Sequence, residues 1–198
     1  MSPPPGACSA DRERQLLDVA AAEFGARGYA HASMDRIAEE AGVTKPLLYN
    51  YFGSKDGLAV ACVDHAGARL VEAVAAAQTG PALGRVTQTL TAIFRILEGS
   101  RFDWAVLYDA TLRPGTEPWE RARKHRRALA RLRADGVREV VPAGDRLDAD
   151  LATHLWFSGV SAAVAWWLDH PRESADAMER RLSRIAAALV EALAEEAL

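Results

Sequence analysis

The sequence predicts an all-α protein, and three observations carry that prediction. Alanine, leucine and arginine abound while runs of β-branched residues are scarce, a composition that favours helix. Apolar residues recur three and four apart, and no segment shows the strict alternation of a half-buried strand. Glycine and proline in TGP at 79–81, RPGTEP at 113–118 and VPAGDRLD at 141–148 separate the periodic stretches.

The elements follow in order. The proline-rich opening, residues 1–10, reads as a disordered tail. A first helix is expected over about 11–27, with Leu16, Leu17, Ala20 and Phe24 on one face and Gly28 as its stop. Ser33 is placed to cap a short helix over 34–41 that buries Ile37 and Ala38. Gly42 then makes a turn, and Thr44 caps a helix that ends near Phe52. Ser54 caps a long fourth helix reaching about Ala77, and further helices are expected at 82–98, 103–113, 118–135, 148–169 and 175–196. The chain divides into the tail, a small domain at 11–57 and a larger helical domain at 58–198, which holds all five tryptophans.

Bulk properties exclude several classes. A hydrophobic share of 49% with 26% charged residues is that of an ordinary soluble globular chain. A net charge of −3 argues against general polyanion binding, so any nucleic-acid contact has to come from a local patch. Cys8 and Cys62 stand far apart and form no zinc or disulfide framework, which fits a reducing compartment. The opening residues have no apolar signal core, and the run from Trp156 to Leu168 is shorter than the roughly 18 residues a membrane span needs. A cytoplasmic location is expected. His31, His65, His125, His154 and His170 are dispersed without ligand spacing, so no metal and no cofactor are expected.

Residues 33–52 meet the demands of a helix-turn-helix. Ala38 is small where two short helices meet, Gly42 supplies the turn, and Val43, Leu48 and Phe52 close a miniature core. At 100° per residue Leu48 and Phe52 point inward, which turns Pro46, Leu47 and Asn50 the other way, with Lys45, Tyr49 and Tyr51 on the flanks. From Val43 to Lys55 there is no acidic residue. Such a face suits a major groove, with phenols and ammoniums toward phosphate and shorter groups toward base edges. Pro46 is tolerated because it falls in the first turn, where its missing N–H has no intrahelical partner to lose. Two helices of an ordinary bundle joined by a glycine turn remain the plainer reading of the spacing alone.

The stretch SMDRIAEEAGVTKPLLYNYFGSKDGL, preceded by Phe24 and Gly28-Tyr29, strongly resembles the DNA-binding region of TetR-family transcriptional regulators over about residues 12–60. The resemblance implies phosphate contacts by Ser33, Tyr49, Tyr51 and Lys55, with Thr44 capping the recognition helix and approaching the backbone. It places Lys45, Pro46, Leu47 and Asn50 where the family reads bases. Leu47 stands where small residues are common in the family, and Tyr51 where histidine is common. The resemblance further implies a homodimeric, ligand-responsive repressor. A small hydrophobic effector would release it from a palindromic double-stranded operator by shifting the helix that begins at residue 55.

The larger domain carries no subfamily signature. Its 148–169 helix is apolar nearly all round, and the 175–196 helix carries a stripe of Met178, Leu182, Ile185, Leu189 and Leu193. Pairing of these two helices between two subunits would cover both, and the alternative is intrachain core. Phe94, Trp104, Tyr108, Asp109, Trp119 and Trp156 come from helices that surround a ligand cavity in such a fold, with core packing as the plainer alternative for each. Asp109 either anchors a cationic ligand or pairs with Arg113 one turn away. The basic run RARKHRRALARLR at 121–133 reads as a solvated helix face, with a second nucleic-acid patch as the alternative. No catalytic constellation is visible, so no enzymatic activity is expected. The rival readings are a bundle enzyme and a helical module that binds proteins.

Overall fold

In the computed structural model the chain is described over residues 5–79, 82–140 and 146–195. Regular structure among the described residues is helix throughout: α1 Pro5–His31, α2 Met34–Glu40, α3 Lys45–Phe52, α4 Lys55–Ala76, α5 Ala82–Glu98, α6 Asp103–Leu107, α7 Glu117–Val140, α8 Arg146–Leu168 and α9 Ala175–Glu195. The all-α expectation therefore holds. None of the described helices is long and apolar enough to cross a membrane.

Two compact units emerge, Met1–Val71 with Ser100–Ala128 and Glu72–Gly99 with Leu129–Leu198. The first unit thus takes in α6 and the start of α7, which lie beyond the boundary drawn at residue 57 on sequence. Its core is built from Leu16, Ala20 and Phe24 of α1, Ile37 and Ala38 of α2, Leu48 of α3, Leu58, Val63 and Leu70 of α4, and Leu107 of α6, all buried. Each large apolar side chain in such a core contributes about 1.5–3 kcal/mol. In the second unit α5 packs on α9. There Phe94 meets Trp167 edge-to-face at 5.4 Å, and the Trp167 indole N–H donates to the Glu173 carbonyl at 2.7 Å.

Three boundaries differ from the sequence expectation. Helix α1 begins at Pro5, so only residues 1–4 of the expected tail fall outside it, and those lie outside the described residues. At its other end the regular helix breaks at Gly28 as expected, with φ 74° and ψ 155°, and a separate short turn beyond this kink runs to His31. That φ belongs to glycine, and a Cβ there would come within 2.9 Å of Thr111. Helix α6 ends at Leu107 rather than at 113. The Asp109 carboxylate accepts the Thr111 N–H at 2.7 Å, a local turn that competes with helix. Helix α7 runs to Val140, past the end expected at 135. Residues 141–145, part of the expected break at 141–148, lie outside the described residues.

The 148–169 helix is not apolar on equal terms all round. Val160, Val164 and Trp167 are buried, whereas Leu147, Leu151, Leu155 and Trp166 are 41–76% exposed. On α9 Met178 is buried and Ile185 is 57% exposed. The Leu189 and Leu193 side chains lie outside the described residues.

Candidate nucleic-acid interface and effector region

Local capping builds the helix-turn-helix. The Ser33 hydroxyl accepts the Arg36 N–H at 3.5 Å at the start of α2. Ser33 is also tied back to α1, its own N–H donating to Glu23 at 3.0 Å. Burial alone would raise the Glu23 carboxyl, but the Ser33 N–H and the guanidiniums of Arg36 and Arg27 outweigh it and hold it below the ordinary range. In the turn Gly42 takes φ 63° and the Val43 N–H reaches the Ala38 carbonyl at 2.9 Å. Thr44 then caps α3 by accepting the Leu47 N–H at 3.4 Å, with Pro46 in the first turn as expected.

One root holds α3 down. Leu48 is fully buried, and Phe52 beside it is half-buried. Lys45, Pro46, Leu47, Tyr49, Asn50 and Tyr51 are all exposed, so the helix presents a continuous outward face of cation, apolar group, amide and phenol. The Lys45 ammonium lies 2.9 and 3.0 Å from the two carboxylate oxygens of Asp35 on α2. That contact raises its pKa through the hydrogen bond and the charge of Asp35. The strip free of acids along the chain thus receives one from the neighbouring helix. Nothing in the local sequence around Lys45 signals it.

Tyr29 is a second residue that joins the site without any local sequence signal. Its ring stacks on Phe24 at 6.1 Å, and the Lys55 ammonium sits 4.7 Å above its centroid. Its hydroxyl donates to Asp56, and burial together with that bond pushes the phenol up to about 12. Lys55 is therefore held at the start of α4 by an aromatic platform from the end of α1.

The six residues expected around an effector fall into the two units. In the first unit Trp104 is buried, Tyr108 is half-buried, and their rings lie 4.8 Å apart at 36°. Asp109 does not wait for a cation: one oxygen accepts the Tyr29 N–H at 2.6 Å and the other the Thr111 N–H at 2.7 Å. Trp119 is half-buried beneath Arg123, whose guanidinium lies 5.2 Å from the ring. In the second unit Phe94 is fully buried against Trp167, leaving it no surface for a ligand in this conformation, and Trp156 is half-buried. Among the described residues no three His, Cys, Asp or Glu side chains gather as a metal site.

A capped helix-turn-helix with one buried root and an exposed, acid-free second helix defines a DNA-binding protein of the helix-turn-helix class. Residues 16–62 match the family model described as bacterial regulatory proteins, tetR family. Over 167 residues the chain is 30% identical to the HTH-type transcriptional activator FasR of Mycolicibacterium smegmatis, a span covering 82% of this chain and 74% of that protein. The HTH-type transcriptional regulator BetI of Brucella anthropi is 43% identical over 54 residues, 27% of this chain and 28% of that one. Among solved structures, a TetR-like transcriptional regulator from Rhodococcus sp. RHA1 matches with a TM-score of 0.66 and 29% identity, over 91% of this chain and 96% of that one. The chain belongs to the tetR family of bacterial regulatory proteins. It is a DNA-binding transcription regulator and not an enzyme.

Proposed function

We propose that the protein is a homodimeric repressor that reads a two-fold operator through α3 and leaves it when a small, largely apolar effector binds the helical domain. The observation that carries this reading is the outward face of α3, where Lys45, Pro46, Leu47 and Asn50 are exposed between Tyr49 and Tyr51. In this reading Tyr49, Tyr51, Lys55 and the Ser33 hydroxyl contact phosphates, and the central residues meet base edges. Ser33 and Thr44 serve both as caps and as groups near the DNA backbone.

Dimerisation is supported by the second unit. Leu147, Leu151 and Leu155 on α8 are spaced four apart, exposed and apolar, with Trp166 further along and Ile185 on α9. A second copy related by a two-fold axis would cover this face with the same face. FasR is named an activator, so repression by this chain is our own assignment, resting on a mechanism of release. An effector acts only by binding two conformations unequally.

The test is operator affinity. Tyr49→Phe combined with Lys55→Ala should weaken binding by about tenfold or more and flatten its dependence on salt. Unchanged affinity in the double variant would remove the contact assignment.

A further inference from the structure

The arginines of α7 differ in how their charge is met. Arg121 pairs with Asp64 at 3.1 Å and with Glu117 at 3.7 Å. Arg123 pairs with Glu120 at 3.3 Å. Arg126 is half-buried, and among the described residues its Nε and Nη2 have neither solvent contact nor a hydrogen-bond partner. A guanidinium is always charged and carries five donors in a fixed fork. Leaving charged donors dry and unpaired costs more than leaving a neutral one so. A native structure that does this calls for a physical reason.

The neighbours narrow that reason. Burial lowers the pKa of Arg126, and the Tyr108 phenol and the Asp109 carboxylate act on it in the opposite direction. No hydrogen bond joins Asp109 to it; the two carboxylate oxygens accept the N–H groups of Tyr29 and Thr111. The residue that the sequence offers as an anchor for a cation is thus spent within the fold, and the spare capacity beside it has the opposite sign. Next to Tyr108 stands Trp104, which is buried, so the half-buried Tyr108 ring is the aromatic face open to an apolar body and Trp104 backs it.

We infer that Arg126 is the anchor for an anionic effector, a single carboxylate or phosphate head group on an apolar body that packs against Tyr108. The inference rests on the proposed reading of the chain as an effector-responsive regulator and names the chemistry of that effector. A planar guanidinium takes either head group through two parallel N–H bonds. Neutralising Arg126 also changes the field at Asp109, the carboxylate that holds the kinked end of α1. The anchor and the DNA-binding helices are therefore linked through one residue.

The experiment uses the full chain and four probes with the same twelve-carbon body: dodecanoate, dodecyl phosphate, dodecanol and dodecyltrimethylammonium, each below its micelle concentration. Affinity is read by calorimetry and by tryptophan fluorescence. At least one anion should bind about tenfold or more tighter than dodecanol, with the cation weakest. The two anions tell carboxylate from phosphate. Arg126→Gln should collapse the gap between head groups, and its thermal unfolding midpoint checks that it folds. Equal affinities across the series, a gap that survives Arg126→Gln, or no binding of any probe overturns the inference. The head-group series on the unaltered chain decides the matter even if the variant does not fold. DNA selection on the same preparation keeps the two ideas apart. Enriched DNA with no head-group preference sinks the anchor alone, and a head-group preference with no enriched DNA sinks the regulator reading alone.

Discussion

The carboxylate of Asp109 accepts the backbone N–H of Tyr29 across 2.6 Å, joining positions 80 residues apart in the chain. Beside it the Thr111 hydroxyl accepts the Ala30 N–H at 3.1 Å. Together they satisfy backbone donors that the kink at Gly28 releases from the α1 ladder. A segment beyond residue 57 thereby fixes the end of α1, the helix that precedes the helix-turn-helix. Asp109→Ala strands the N–H groups of both Tyr29 and Thr111, and should lower stability by about 1–3 kcal/mol. Urea unfolding checks it, with the midpoint falling and the slope unchanged.

The Tyr29 ring under Lys55 separates two contributions to DNA affinity. Lys55→Ala should weaken binding to all sequences alike and reduce the salt slope by about 1. Tyr29→Phe keeps the ring and loses only the bond to Asp56, so it should leave affinity within about threefold. Tyr29→Leu removes the platform, worth about 0.5–1 kcal/mol for an exposed pair, and should cost more than Tyr29→Phe does. Fluorescence anisotropy with one operator and one unrelated duplex reads all three.

Asp103 gives stability a pH dependence of defined sign. It is almost fully buried at the start of α6, 3.2 Å from Arg69. Burial pushes its carboxyl up to about 6, Arg69 opposing and Asp18 adding to the shift. The folded state then holds a proton that the unfolded chain, titrating near 3.8, has released. This group's contribution is full below about pH 4 and is lost as pH rises toward 6, an effect of about 3 kcal/mol at most. Glu23, held below its ordinary value, works in the opposite direction, so the variant and the parent chain must be compared at each pH. Asp103→Asn should unfold at a higher temperature than the parent at pH 7.5, and the two should converge below about pH 4.

Much of this architecture is legible in the sequence because it is local. The caps at Ser33 and Thr44, the turn at Gly42 and the root at Leu48 involve residues within one or two turns of each other, and periodicity finds them. The end of α6 is not legible in that way. A helical pattern continues to Arg113, but Asp109 and Thr111 bind α1 instead, across some 80 residues of chain. Asp35 and Tyr29 escape for the same reason, since each meets its lysine only after helices have packed. Arg126 sits in a basic run that looks like a solvated face. Only burial distinguishes it from Arg127, which is exposed.

The exposed row on α8 makes a prediction about assembly. Leu151→Glu with Leu155→Glu puts two carboxylates into the face that a second copy would cover. The variant should run as a monomer in sedimentation at micromolar concentration, keep its helical circular dichroism, and lose affinity for a two-fold site far more than for a half-site. A dimer that persists in this variant places the interface elsewhere.

Selection from a random double-stranded pool decides whether α3 reads DNA. Enrichment is expected for a two-fold symmetric motif whose half-sites are centred about 34 Å apart or a multiple of that. Lys45→Ala should change which bases are enriched within each half. An absence of any enriched sequence, or a motif that Lys45→Ala leaves untouched, contradicts DNA reading by α3.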